Sequence, residues 1–152
     1  MVMDSVYTAL TASHVAILGK TGSGKTYAAK GMVERLLRDN ARVCVLDPTG
    51  VWWGLKTGPN PPVVLGGDEH YRDLPLAESD AGVIAQLIGE GKLPRVVLDL
   101  SGLSISGQHR FAERLLEELY RATDKGVLHL VVDEADEFAP QSGAPGTERL
   151  LG

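Results

Sequence analysis

His14-Val15-Ala16-Ile17-Leu18-Gly19-Lys20-Thr21-Gly22-Ser23-Gly24-Lys25-Thr26-Tyr27-Ala28-Ala29-Lys30 is the stretch whose reading decides the rest. It runs from apolar, through glycine-rich, to amphipathic, so it predicts a buried strand over Val15–Leu18, a phosphate loop, and a helix. Gly19 to Thr26 fits GxxxxGK(S/T) at every fixed position, between the strand and helix patterns that such a loop requires. Glycines let consecutive backbone N–H groups turn inward around phosphate oxygens, and the positive end of the following helix adds to the attraction. Lys25 is placed to reach the β and γ phosphates, and the Thr26 hydroxyl to sit on Mg²⁺. The candidate nucleotide-binding run is therefore Gly19, Lys20, Thr21, Gly22, Ser23, Gly24, Lys25, Thr26 and Tyr27. The alternative is a glycine-rich turn that binds nothing.

Working outward, Ala28, Ala29, Met32, Val33, Leu36 and Leu37 recur at helical spacing up to Arg38, and Asp39-Asn40 ends that helix. Arg42 to Leu46 is a continuous apolar run of the kind covered on both faces in a parallel sheet, so a crossover joins the two predicted strands. Asp47-Pro48-Thr49-Gly50 then lies at the sheet edge where ligands bind in α/β folds. Asp47 reads equally as a site residue or as a turn aspartate bonding to its own backbone. Trp52 and Trp53 either stack on a base or pack over the sheet edge. Proline and glycine exclude a long helix from 56 to 75, although Pro62–Leu65 suits a short strand. Ser79 reads as the cap of a helix through Ile88, and Arg95–Leu100 as a third buried strand. Ser106 reads as the cap of a helix from Gln108 to Thr123, and Asp124-Lys125-Gly126 as a turn.

The fourth predicted strand, Val127–Val132, delivers Asp133 and Glu134 at its end, a Walker B pattern with a second carboxylate. The two acids have different tasks: Asp133 holds Mg²⁺, directly or through water, and Glu134 accepts a proton from, or orients, an attacking water. An acid placed to activate water points to hydrolysis rather than transfer to another acceptor. His129 reads as packed, and Asp136 and Glu137 as exposed.

The chain has 152 residues, 43% hydrophobic and 23% charged, enough for one α/β domain with one core. Fifteen Lys and Arg against twenty Asp and Glu give a net charge of −5, which argues against a sequence-independent grip on DNA by the whole surface. Apolar runs of about five residues are far short of a membrane span, and MVMDSVYTAL lacks the regions of a secretory leader. The expectation is a cytoplasmic protein with no membrane contact. The one cysteine, Cys44, lies in the apolar run VCVL, so it reads as a buried, unreactive thiol.

HVAILGKTGSGKT, VLDPTGVWWGL, VVLDLSGLS and LHLVVDEADEFAPQ, in this order, resemble the HerA/FtsK superfamily of P-loop ATPases, specifically its HerA-like branch. The resemblance runs from about His14 to Gln141. It implies a P-loop NTPase fold of the ASCE, RecA-like kind: a mostly parallel sheet between helices. It also implies ATP and Mg²⁺ as cofactors, hydrolysis at a subunit interface, and usually a homohexameric ring that translocates double-stranded DNA beside a nuclease or effector partner. By position it gives Lys25 and Thr26 the phosphate-loop roles, Asp133 the Mg²⁺-associated role and Glu134 the catalytic role. In that family a further strand with a polar sensor lies between the phosphate-loop strand and the Walker B strand, followed by an arginine that completes a neighbour's site. This sequence ends before those features, so the expectation is a C-terminally incomplete core, the alternatives being a sheet of unusual order or another element filling the gap. Two other functions are alternatives: a nucleotide-binding regulatory module without turnover, and a P-loop small-molecule kinase, against which Glu134 and the lack of an arginine-rich lid segment count.

Overall fold

The computed structural model describes residues 4–5, 7–8, 14–20, 22–122 and 126–138. Its centre is a four-stranded, wholly parallel sheet of strands β1 (Arg42–Asp47), β2 (Val63–Gly66), β3 (Arg95–Asp99) and β4 (Leu128–Val132), in the order β2-β3-β1-β4. From Lys25 onward the α-helices are α1 (Lys25–Arg38), α2 (Ala81–Gly89), α3 (Ile105–Ala122) and the single turn α4 (Ala135–Phe138).

Alternation along β1 and β3 builds two cores. Val43 and Val45 face the same side as Val97 and Val64, against Val33, Leu36 and Leu37 of α1. Cys44 and Leu46 face the other side with Val96 and Leu98, against Ile84, Ala85 and Ile88 of α2 and Phe111, Leu115 and Leu119 of α3. The register pairs Cys44 with Val96 and Val45 with Val97, so equivalent faces line up across strands. This is the helix-sheet-helix layering that runs of apolar residues buried on both faces demand, each large side chain contributing roughly 1.5–3 kcal/mol on full burial. Burial pushes the Cys44 thiol up to about 12, so it stays protonated and inert.

Several expected elements shift. Val15–Leu18 is not a strand: residues 14–20 are irregular, with Leu18 89% exposed. The outer edge of β4 is unpaired among the described residues, and residues 14–20 join no ladder, so the apolar pattern of that run is overridden. Ser79 does not cap α2; it lies in a 3-10 turn, Glu78–Asp80, where the Asp80 carboxylate accepts the Ala77 N–H at 2.7 Å. Ser106 lies inside the first turn of α3, which begins earlier than expected because Ser104 Oγ accepts the Gly107 N–H at 3.1 Å. The expected strand at Pro62–Leu65 forms one residue later, as β2. Thr123, Asp124 and Lys125 lie outside the described residues.

Gly66 and Gly91 both have left-handed backbones, at φ +83° and +75°. A Cβ on Gly66 would overlap the carbonyl oxygen of Asp99 across the β2–β3 pair, whereas one on Gly91 would point into open space. Gly91→Ala is expected to cost about 1 kcal/mol from backbone conformation alone, and Gly66→Ala about 1–3 kcal/mol more from steric overlap. Urea unfolding of the two variants measures the difference, and equal costs would show that the strands separate freely at Gly66.

Candidate active site

Three adjacent strands end in aspartate at one edge of the sheet: Asp99 on β3, Asp47 on β1, and Asp133 directly after β4. Backbone bonds hold these ends together, Leu100 N–H donating to the Asp47 carbonyl at 2.8 Å and Asp133 N–H to the Leu46 carbonyl at 3.1 Å. Their carboxylates have different fates. Asp99, 5% exposed, accepts the Ser101 N–H at 2.9 Å and the Ser101 hydroxyl at 2.6 Å. Asp47 is fully buried and accepts the N–H groups of Gly50 and Trp52 at 2.9 Å each and of Thr49 at 3.2 Å. Of its two readings, the structure therefore shows the turn aspartate, folding residues 47–52 around one carboxylate. Burial raises its pKa; the Trp52 N–H bond opposes that shift, and the Asp99 charge adds to it.

Asp133 alone of the three is turned toward the phosphate-loop segment. Its Oδ1 accepts the Glu134 N–H at 3.0 Å and lies 3.4 Å from Thr26 Oγ1, in the first turn of α1. Its Oδ2 accepts the indole N–H of Trp52 at 2.8 Å. Glu134 follows at φ +48°; the other described non-glycine residues with positive φ are asparagines, which tolerate that region, so a glutamate held there is a local strain beside the site. Asp136 and Glu137 are exposed, as expected, and His129 is half-buried.

The loop before α1 reverses at Gly22 (φ +79°) and Gly24 (φ +84°), and Ser23 N–H donates to the Lys20 carbonyl at 3.0 Å. Gly19 allows a close approach: a Cβ there would overlap the Ser23 hydroxyl and come within 3.2 Å of Lys25 Cγ. Gly24 precedes α1 without a side-chain cap, and the first turn carries no acid. Its N–H groups and the positive end of the helix dipole are thus left to an anion. Lys25 and Thr26 are half-buried there, Gly19, Lys20, Gly22, Ser23 and Gly24 are exposed, and Tyr27 turns its ring outward, 85% exposed. Thr21 lies outside the described residues. Thr26 Oγ1 and Asp133 Oδ1 are hard oxygen donors at a spacing one Mg²⁺ can share. Among the described residues no three His, Cys, Asp or Glu side chains gather as an all-protein metal cage. The donor set therefore suits an ion completed by phosphate and water.

The tryptophans divide. Trp53 stacks on Tyr71, ring centroids 3.8 Å apart and planes 9° from parallel. Trp52 is buried against Val45 and Leu55 while its N–H reaches Asp133, a role neither packing nor base stacking had suggested. No local pattern joins positions so distant in sequence; the only hint was a tryptophan at the ligand-binding edge of a predicted sheet. Lys30 of α1 closes the arrangement, donating to the Val51 carbonyl and lying over the Trp52 ring, 5.7 Å from its centroid.

An all-parallel α/β sheet flanked by helices, with a phosphate-loop pattern opening α1 and an acid pair after β4, is a P-loop NTPase-like architecture. Residues 6–65 match the family model described as Helicase HerA, central domain, and this match supports the HerA/FtsK-type P-loop ATPase family. The matched segment includes the phosphate loop and the loop carrying Trp52; Asp133 and Glu134 lie beyond it. No curated protein and no solved structure matches the chain. No helix among the described residues is long and apolar enough to cross a membrane.

An aspartate with a raised folded-state pKa binds more protons folded than unfolded, so its contribution to stability falls as pH rises through the window beginning near its ordinary value of 3.8. The stability of the wild type minus that of Asp47→Asn should decrease as pH is raised from 3 upward through that window, read by denaturant titration at each pH. Asp47→Ala, which leaves three N–H groups without their acceptor, should cost about 2–4 kcal/mol at neutral pH. A pH-independent difference would remove the raised pKa.

Proposed function

We propose that this chain is the ATP-binding and ATP-hydrolysing core of a HerA-like motor acting on double-stranded DNA. The observation that carries the reading is the 3.4 Å approach of Thr26, in the phosphate-loop helix, to Asp133, at the end of β4. In this reading the N–H groups from Gly19 to Tyr27 bind the phosphates, and Lys25 adds its charge at the β and γ positions. Thr26 and Asp133 hold Mg²⁺, which when bound neutralises charge developing on the phosphate oxygens. Glu134 orients the attacking water and takes its proton. The family match supports ATPase chemistry at the level of the family. A homohexameric ring and a nuclease or effector partner are proposals drawn from the HerA-like resemblance, and a cytoplasmic location is one drawn from the short apolar runs of the sequence.

A second reading, a nucleotide-binding module without turnover of its own, is favoured by one observation: residues 14–20 lie outside the sheet, so no paired strand anchors the loop from its N-terminal side. The two readings separate in one set of measurements. ATP affinity with Mg²⁺ should fall about tenfold or more in Lys25→Ala, the worth of a charge-assisted contact. Glu134→Gln should keep that affinity and lower turnover by about 10²–10⁴, assayed over a range of protein concentrations with and without double-stranded DNA. Wild-type binding without turnover under every condition selects the module. Equal turnover in Glu134→Gln removes the role given to that residue, and no wild-type affinity for ATP overturns both readings.

A further inference from the structure

We infer that Trp52 is a positioning residue for Asp133: its indole N–H fixes one carboxylate oxygen so that the other is presented to the phosphate-loop helix. The inference rests on the role given to Asp133 above. A buried indole N–H needs an acceptor, and many backbone carbonyls would serve. Here it takes Oδ2 of a half-buried carboxylate at 2.8 Å, while Oδ1 faces Thr26 Oγ1 at 3.4 Å and accepts the Glu134 N–H at 3.0 Å. With both oxygens engaged from different sides, rotation about the Cβ–Cγ bond is blocked, the arrangement by which outer partners orient metal-binding carboxylates.

Trp52 is itself held. It has no exposed surface, its own N–H donates to Asp47 Oδ2 at 2.9 Å, and the Lys30 ammonium lies over its ring. The chain of contacts runs from the buried Asp47, through the backbone and then the ring of Trp52, to Asp133. Asp47 therefore acts on the site although its side chain does not touch it, and Lys30 couples the phosphate-loop helix to the same ring. Trp53, stacked on Tyr71, takes no part in these contacts.

Two measurements on the full chain test this. In ¹H–¹⁵N spectra the two tryptophans give two indole N–H signals, and Trp53→Phe identifies the one from Trp52. Asp133→Asn should move the Trp52 signal upfield by tenths of a ppm, because a neutral acceptor replaces a charged one; an unmoved signal overturns the hydrogen bond. Next, ATP affinity is compared in EDTA and in Mg²⁺. Trp52→Phe should keep the metal-free affinity within about twofold and lose about tenfold or more of the enhancement by Mg²⁺, the usual cost of removing an outer partner. Full retention of the Mg²⁺ enhancement in a folded Trp52→Phe overturns the positioning role. If that variant does not fold, Asp47→Asn is measured in the same way and should lose part of the Mg²⁺ enhancement while the Trp52 signal moves; neither change occurring overturns the inference. A wild type that binds no ATP defeats the proposed function instead, and the indole signal still decides the contact.

Discussion

Strand β1 is the constraint on which the molecule depends. It is hydrogen-bonded on both edges, to β3 and to β4, and its residues alternate between two cores, Val43 and Val45 toward α1, Cys44 and Leu46 toward α2 and α3. Because all three strands run parallel in fixed register, their last residues arrive together. A slip of one position along β1 would exchange its two faces and carry Asp47 away from both Asp99 and Asp133. Packing and site geometry are thus set by the same ladder.

That ladder brings like charges to one edge, and the surroundings keep them apart in role. Asp47 lies where burial disfavours its charge, and three backbone N–H groups offset that burial. Asp99 is satisfied by Ser101. Asp133, less buried and answered by a hydroxyl, an amide and an indole, is the carboxylate with an open side. The division follows from the loop after each strand rather than from the aspartates themselves. The 47–52 loop curls back over its own acid, while the chain after Asp133 turns at a left-handed Glu134 into α4, which buries Phe138 in the core.

Much of this was legible in the sequence because it is written locally. The helical spacing of Val33, Leu36 and Leu37 and the apolar runs at Arg42–Leu46 and Arg95–Leu100 marked α1, β1 and β3, since burial on both faces leaves a continuous signature. The GxxxxGK(S/T) loop announced its glycines, two of which adopt the left-handed backbone that the spacing implies. What escaped depends on partners distant in sequence. Val15–Leu18 has the composition of a strand, but a strand exists only against a neighbour. Trp52 has the composition of a packing residue, and its bond to Asp133 arises only once β1 and β4 are side by side. Ser104 and Ser106 compete for one cap, and the serine whose hydroxyl meets the Gly107 amide takes it.

Cys44 sits in the middle of β1, without exposed surface and with its proton held until strongly alkaline pH. The protein therefore carries its own chemical clock. A thiol reagent finds this sulfur only in molecules whose central strand has come out of the sheet, so the pace of labelling counts excursions of the whole interior rather than fraying at its rim.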